Sequence, residues 1–532
     1  QQAVPCLWPE RPIVGTGVEA HIASCSSWSV FSSRAAQVLY ADSTVVSTVS
    51  SNVACIASEQ TLEETTGEVD PPPLPDGWVE RRLQVRSEML SETLLDISST
   101  KKHTLRHHSC TVGPGDVVST GEALAEGACI SGGELAIGKN VVVAYVPFDG
   151  YNYEDAIVLS KRCVREDIFT SVHLNELVEE LCINQTLSSS GVESSACLEN
   201  GLVREGTWVE EGDVFMAFEE SVEEVDELGL TVERVKSHIR VVPPGVRGRV
   251  VDSRVMTRDV LENNVYVSKR VAAVMIAVTC RIQVGDKLSG RHGNKGIVAK
   301  ILDDRDTPYL PDGTPIDVIL NPLGVPSRMN VGQIFECLLG SAGRWTGQEY
   351  RVGPFDEMFA EDASRGLVFD ALSRARERTG YQWLLDPASP GKTRLFDARS
   401  GLPFDQPVTC GVSYILKLYH MVRDKVVARS TGKYSLVTQQ PTKGRSRGGG
   451  QRLGEMEVSA LIGYGAHTTL QEMLTLKSDD IEQRWLAEQA IKAGKPVEVP
   501  ESGSSEGYLT FQRELAAGGF AVLPGSVDHG GG

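Results

Sequence analysis

The chain has 532 residues, of which 41% are hydrophobic and 23% charged, and a formal net charge of −19. That hydrophobic fraction excludes a disordered chain, and no apolar run reaches the ~18 residues of a membrane span. At roughly 150 residues per domain the length implies about three or four domains, and the acidic balance argues, at first sight, against a nucleic-acid partner.

The chain opens on Gln1 with no charged-then-apolar leader, the pattern of a fragment, a processed product or one piece of a divided polypeptide. Residues 41–110 are rich in Ser, Thr and Glu and are punctuated by Asp70-Pro71-Pro72-Pro73, which reads as irregular connection. Val141 to Val146 suits a buried strand. From Glu176 to Glu227 there are 15 acidic residues and one basic residue, Arg204, so this block reads as a separate, solvated lobe. A strand is expected at Gly248 to Val251, a longer one from Val265 to Arg281, and another where Ile316, Val318 and Leu320 alternate. Val331, Ile334, Phe335, Leu338 and Leu339 mark one face of a helix, with Asn330 placed to cap its start and Gly340 its end. A last helix is expected from about Ser478 to Ala493, stopped by Gly494 and Pro496. The 11 cysteines are scattered without a C-x-x-C pair, so each reads as a small buried side chain in a reducing compartment. The whole is a mixed α/β chain of several domains.

Divided by segment, the charge reads differently. Residues 269–300 carry seven Lys or Arg and one acid, and residues 417–452 carry nine and one. Two concentrated basic segments in an acidic remainder can hold a polyanion in a channel and repel it elsewhere, although either run can also be an ordinary solvated face.

Four segments carry candidate chemistry. In Phe148 to Ala156 the adjacent carboxylates Glu154 and Asp155 can support a hydrated divalent ion, or simply form a solvated turn. Gly285 to Gly296 reads GDKLSGRHGNKG, where Lys287 and Lys295 can reach successive phosphates and Arg291 adds a third cation. It lacks the order of a Walker loop, and a tight structural turn is the alternative. Asn321 to Glu336 reads NPLGVPSRMNVGQIFE, with Arg328 near a helix start where anions are welcome. Beyond His420, the stretch Gln439 to Arg452 is a flexible basic loop whose Lys443, Arg445, Arg447 and Arg452 suit nucleic-acid phosphates. Asp303 to Asp306 reads as an acidic loop without a site. No nucleophile–base pair and no Asp-x-Asp-x-Asp triad occurs, so the main metal ligands of any phosphoryl transfer must come from another chain.

These segments, in this order, resemble the carboxy-terminal half of the β subunit of bacterial-type, multisubunit, DNA-directed RNA polymerases. The likeness starts at Gln2-Ala3-Val4-Pro5 and runs through GYNYEDA at residues 150–156 to Gly454-Glu455-Met456-Glu457-Val458 and Leu470-Gln471-Glu472-Met473-Leu474. A narrower likeness to the plastid and cyanobacterial branch lies in Gly133 to Gly138, Phe369 to Leu372 and Pro390 to Asp397.

The resemblance implies a double-psi β-barrel hybrid-binding domain with an inserted β-rich flap and a C-terminal helical clamp segment. It divides the chain into a partly irregular connecting region (1–110), the first part of the hybrid-binding domain (111–172), the flap or wall (173–262), the barrel-bearing second part (263–440) and the clamp or anchor (441–532). It assigns Lys287, Lys295 and His420 to the initiating nucleotide and RNA 3′ region, Arg328 to the incoming triphosphate, and Glu154 and Asp155 to a second, nucleotide-borne Mg²⁺ through water. The main Mg²⁺ is expected on the β′ subunit. The implied partners are the N-terminal half of β, β′ and β″, α subunits, a sigma factor, DNA, RNA and ribonucleoside triphosphates. The implied location is the plastid stroma or nucleoid, or alternatively the bacterial cytoplasm. Two departures stand out: the amino-terminal half of β is missing, and no Leu-Leu-Arg-Ala-Ile-Phe-Gly-like helix for sigma docking is visible between Glu220 and Arg240. The rival reading is a structural or regulatory relative that kept the barrel without polymerising; a standalone nucleotide-binding enzyme is a third.

Overall fold

A computed structural model describes residues 2–53, 85–93, 97–100, 103–182, 185–188, 198–225, 231–243, 245–262, 265–358, 363–497 and 505–522. The chain forms two units, residues 1–422 and 423–532. Near the start of the first lies a helix, α1 (Val18–Cys25). The stretch expected to be irregular is partly strand: Val45–Val53 pairs along its whole length with Val85–Thr93. The β-branched residues in Val-Val-Ser-Thr-Val outweigh the polar composition there. Asp70 to Pro73 lies outside the described residues.

The centre of the unit is a closed six-stranded barrel. Its first strands are β1 (Lys139–Tyr145) and β2 (Ala156–Ser160). The chain then leaves it for β3 (Ser171–Leu181), β4 (Val214–Val225), β5 (Thr231–Val241), β6 (Gly248–Glu262) and β7 (Val265–Cys280). It returns as β8 (Lys287–Ser289), β9 (Lys295–Leu302), β10 (Val318–Leu320) and β11 (Thr409–Lys417). Around the barrel the order is β1-β10-β2-β9-β8-β11. Strand β1 is a continuous apolar run because both its faces are covered. Val141, Val143 and Tyr145 pack in one buried cluster with Ile157, Leu159 and Leu288, whereas Val142, Ala144 and Val146 pack in another with Val158, Ile316 and Leu395.

The excursion builds two sheets. In one, β7 pairs with β3 from Ser171↔Cys280 to Leu181↔Arg270 and with β6 on its other side. In the other, β4 and β5 pair antiparallel from Val214↔Val241 to Val225↔Thr231. The described residues between Glu220 and Arg240 are therefore strand. The acidic block contributes Leu198, Val203, Phe215 and Phe218 to an apolar core that it shares with Val250, Val274 and Ile276 of β6 and β7. Its carboxylates also have partners from the segment that follows: Glu179 with Arg240 at 2.9 Å, Glu220 with His238 at 3.1 Å and Glu210 with Arg247 at 3.0 Å. The acidic block thus keeps most of its described carboxylates exposed, as expected from charge, but it is also packed, and three of its carboxylates have partners beyond the counted window. Asp303 and Asp304 likewise bind Lys161 and Arg165, each at 2.6 Å.

Between β10 and β11 run α2 (Gly324–Arg328), α3 (Gly332–Thr346) and α4 (Ala363–Thr379). Helix α3 does not stop at Gly340, and Asn330 does not cap it: the N-cap is Val331, without a side-chain cap. Gly340 instead marks where α3 lies against β11. A Cβ on Gly340 would stand 2.2 Å from the Val412 carbonyl oxygen, and one on Gly411 would stand 2.2 Å from that of Cys337. The helix buries Gln333, Glu336, Cys337, Leu339 and Gly340; of the expected apolar face Leu339 is buried, Ile334, Phe335 and Leu338 pack partly buried against the core, and Val331 is exposed.

The second unit carries α5 (Glu455–Gly463), α6 (His467–Leu474), α7 (Ile481–Lys492) and α8 (Glu506–Ala517). Helix α7 lies within the span expected for the last helix, and the Asp480 carboxylate accepts from the Gln483 N–H at 3.0 Å to cap it. All nine described cysteines are free thiols; Cys25 and Cys182 are exposed and Cys110 is half-buried. Among the described residues no helix is long and apolar enough to cross a membrane.

Gly340→Ala is expected to lower stability by ~1–3 kcal/mol through overpacking. Gly366→Ala on α4, where nothing stands within 4 Å of the added Cβ, is expected to raise it by ~0.4–1 kcal/mol. Denaturant unfolding of the two variants checks the contrast in sign.

Candidate functional site

Strands β8 and β9 form a hairpin in which Lys287 faces Ile297, Leu288 faces Gly296 and Ser289 faces Lys295. Residues opposite each other share a face, and faces alternate along a strand. Leu288 and Val298 enter the core, so Lys287 and Lys295 both project from the outer face. Among the described residues neither lysine makes an ion pair. The Lys287 N–H donates to the His420 carbonyl oxygen at 3.3 Å, and the Leu418 N–H donates to the Lys287 carbonyl oxygen at 3.1 Å, which sets His420 alongside the first lysine. Asp286, 1% exposed, braces this junction by accepting from the N–H groups of Val422 (2.9 Å) and Gln283 (3.1 Å).

The loop that carries Glu154 and Asp155 is closed by buried Asn152, which accepts from the Phe148 N–H at 2.9 Å and donates to the Val146 carbonyl oxygen at 2.7 Å. Glu154 adopts φ +51°, a region few residues other than glycine occupy. The loop is then laced to the hairpin: the Ile297 N–H donates to the Asp155 carbonyl oxygen at 3.0 Å. Gly296 permits that approach, since a Cβ there would lie 2.3 Å from the same oxygen. Behind it, the Lys300 ammonium sits 3.7 Å from the centre of the Tyr151 ring, a cation–π contact.

Arg328 closes α2 and is followed by Met329 at φ +53°. Its guanidinium meets the Asp155 carboxylate at 2.6 Å. Glu154, Asp155, Lys295, Asn321, Arg328 and Gln333 thereby border one cleft of about 40 Å³. A pocket that encloses a small-molecule ligand is ~300–1,000 Å³, so this cleft is too small to enclose a nucleotide.

Arg291 has other contacts. It binds Glu336 at 2.8 Å, donates to the Val14 carbonyl oxygen at 2.6 Å, and lies 5.1 Å from the Tyr414 ring centre. Glu336 is 7% exposed and also receives the Tyr414 N–H at 2.9 Å and shares a short hydrogen bond with His292. Burial pushes its carboxyl upward, but the His292 hydrogen bond and the Arg291 charge outweigh burial and hold it below the ordinary carboxylate range. Glu336 thus anchors the hairpin tip onto α3. Sequence reasoning passed over it; the available signal was a carboxylate on the helix face that also bears Gly340.

Lys443, Arg445, Arg447 and Arg452 belong to the second unit, where all four are exposed. The Arg445 guanidinium donates to the Asp424 carbonyl oxygen at 2.9 Å, and in the same unit Arg484 and Arg429 lie 3.8 Å and 4.8 Å from the Tyr434 ring centre. Lys417, counted with the basic segment, is fully buried and donates to the Cys280 carbonyl oxygen (2.8 Å) and the Ser171 hydroxyl (3.1 Å). It adds nothing to an exposed basic surface. Among the described residues no group of three His, Cys, Asp or Glu side chains converges as a metal site. Glu154 and Asp155 are two neighbouring carboxylates, one of them already bound to Arg328, and they do not fit a metal held by this chain alone.

Residues 73–447 match the family described as RNA polymerase Rpb2, domain 6, and residues 449–519 match RNA polymerase Rpb2, domain 7. The sequence is 42% identical to the DNA-directed RNA polymerase subunit beta of Trichormus variabilis, over 99% of this chain and 47% of that protein. It is equally similar, at 42%, to the proteins of the same name from Guillardia theta (98% of this chain, 46% of that protein) and Chaetosphaeridium globosum (99% and 48%). The chain spans about half the length of the curated relatives it matches.

Glu336→Gln is expected to cost on the order of 3 kcal/mol at neutral pH by breaking a buried pair. Because the folded value is lowered, the carboxylate's contribution is complete above the ordinary glutamate value of ~4.3 and is lost as pH falls through the folded value. Denaturation of both proteins at pH 7 and pH 3 is expected to show the gap closing on acidification.

Proposed function

The chain belongs to the RNA polymerase Rpb2 domain 6 family, and from that premise we propose that it works as part of the β subunit of a DNA-directed RNA polymerase, synthesising RNA from ribonucleoside triphosphates on a DNA template. The observation that carries the reading is the pair of lysines, without ion-pair partners among the described residues, on one face of the β8–β9 hairpin, with Arg328 bordering the adjoining cleft. Fixed cations on a rigid hairpin are suited to phosphates: they stabilise charge without reorganising as it develops.

In this reading Lys287, Lys295 and His420 face the initiating nucleotide and the RNA 3′ region, and Arg328 takes the incoming triphosphate. The cleft is too small to enclose a nucleotide, which supports a reading in which the chain is inactive alone and its catalytic centre is completed by β′. The Mg²⁺ that phosphoryl transfer requires is supplied from that partner, and no step rests on a metal held by this chain. The barrel has double-psi topology and faces the RNA–DNA hybrid, residues 173–262 form the flap, and residues 441–532 form the clamp, with Lys443, Arg445, Arg447 and Arg452 on nucleic-acid backbone. Further partners are the N-terminal half of β, β″, α subunits and a sigma factor. Relatives from cyanobacteria and algae support a plastid location or a bacterial cytoplasm. A scaffold that merely kept the barrel has no physical need of these cations together.

Lys287→Ala and Lys295→Ala, each in the assembled enzyme, are expected to lower initiation at least ~10-fold while co-purification with β′ is unchanged. Full initiation in both variants would sink the proposal.

A further inference from the structure

Lys287 and His420 lie far apart in the chain, yet the turns that carry them are tied together. The Lys287 N–H donates to the His420 carbonyl oxygen at 3.3 Å, and the Leu418 N–H donates to the Lys287 carbonyl oxygen at 3.1 Å. Gly285, at φ +96°, lets its turn lie against Val422, since a Cβ there would stand 2.9 Å from a Val422 methyl carbon. Leu418 and Met421 are buried on either side of His420, which is itself exposed. Asp286 joins the two turns through its side chain. Its Oδ2 accepts from the Gln283 N–H at 3.1 Å, in its own turn, and its Oδ1 from the Val422 N–H at 2.9 Å, in the other. A carboxylate offers two acceptor oxygens for this, whereas the amide of the same shape offers one. The side chain is 1% exposed and makes no ion pair among the described residues. A buried carboxylate without a paired cation is a costly way to brace a fold, so bracing alone does not account for it.

We infer that Asp286 is a positioning residue that fixes the spacing between Lys287 and His420, so that the two grip the phosphates of an initiating nucleotide as one unit. The inference rests on the reading of those two residues as phosphate contacts. Groups on separate turns meet one phosphate run together only when their spacing matches it. A spacing set in advance spares the ordering that binding would otherwise have to impose. A lysine can adjust along its flexible stem, whereas an imidazole on a short one cannot, so the backbone at residue 420 is where fixing counts. Asp286 acts on that backbone through Val422. An initiating nucleotide depends on the spacing most, because it has no RNA behind it and only its own base pair and phosphates orient it. A growing RNA is held by the pairing of its other bases as well.

The test reads the KM of the initiating nucleotide in the assembled polymerase. Asp286→Ala removes both arms of the brace. Val422→Pro removes only the N–H that reaches Oδ1, at the first residue of a short helical turn (Val422–Asp424), a position where proline is tolerated. Each is expected to raise that KM by up to about ten-fold, the order lost with one hydrogen bond to a charged group. The KM for extending a preformed RNA is expected to rise less. In a background that combines Lys287→Ala with His420→Ala, neither substitution is expected to raise the KM further. Positioning is overturned if either assembled variant leaves the KM unaltered, if extension suffers as much as initiation, or if the effect persists in that background. Failure of both variants to assemble with β′ would show a brace for the fold alone and would equally overturn it. If Lys287→Ala and His420→Ala themselves leave the KM unaltered, the phosphate reading has failed, and positioning falls with it.

Discussion

Seven successive pairings between β1 and β11, from Lys139↔Ile415 to Tyr145↔Thr409, close the barrel and decide where everything else can lie. They join segments more than 260 residues apart in the chain, and what leaves the barrel must return to it in register. The excursion through β3 to β7 ends at Cys280, opposite Ser171 where it began. The closing strand then brings Leu416 and Lys417 onto β8, and the turn beyond them sets His420 beside Lys287. The candidate site is a by-product of that closure: a hairpin, a loop and a helix end that are distant in sequence and adjacent on one rim.

Charge is handled locally rather than by overall balance. The −19 total is uninformative because most of the excess acid lies in the β3–β4 region, where Glu179, Glu210 and Glu220 have partners in Arg240, Arg247 and His238, while the outer face of the hairpin keeps its lysines unmet among the described residues. The two glutamates on either side of the matter show the rule. Glu336 is buried and spends its charge on Arg291 and His292, so it holds structure together. Glu154 is exposed at a cleft edge, where charge remains available to a ligand.

Much of this was legible in the residues. The apolar run of β1, the length of β7 and the existence of α3 followed from periodicity, because burial on both faces of a strand or one face of a helix leaves a direct trace. The grouping of Glu154, Asp155, Lys295 and Arg328 was available only through family likeness, since no local pattern brings residues 154 and 328 together. Three features escaped for physical reasons. The end of α3 was misplaced because Gly340 serves close packing against Val412, and a glycine at an interface looks like a glycine at a helix end. Residues 45–53 were misjudged because pairing supplied what composition did not. Lys417 was counted as surface charge because composition cannot distinguish a lysine with buried partners from one in water.

That lysine has a mechanical consequence. Its ammonium is gripped by Ser171 at the start of β3 and Cys280 at the end of β7, while its backbone belongs to the barrel. Both legs of the inserted sheet are therefore tied to the barrel wall at one interior point, and swinging the sheet about its root would break two hydrogen bonds of a fully buried side chain. The root of the excursion is thereby fixed to the same barrel whose rim bears the two lysines.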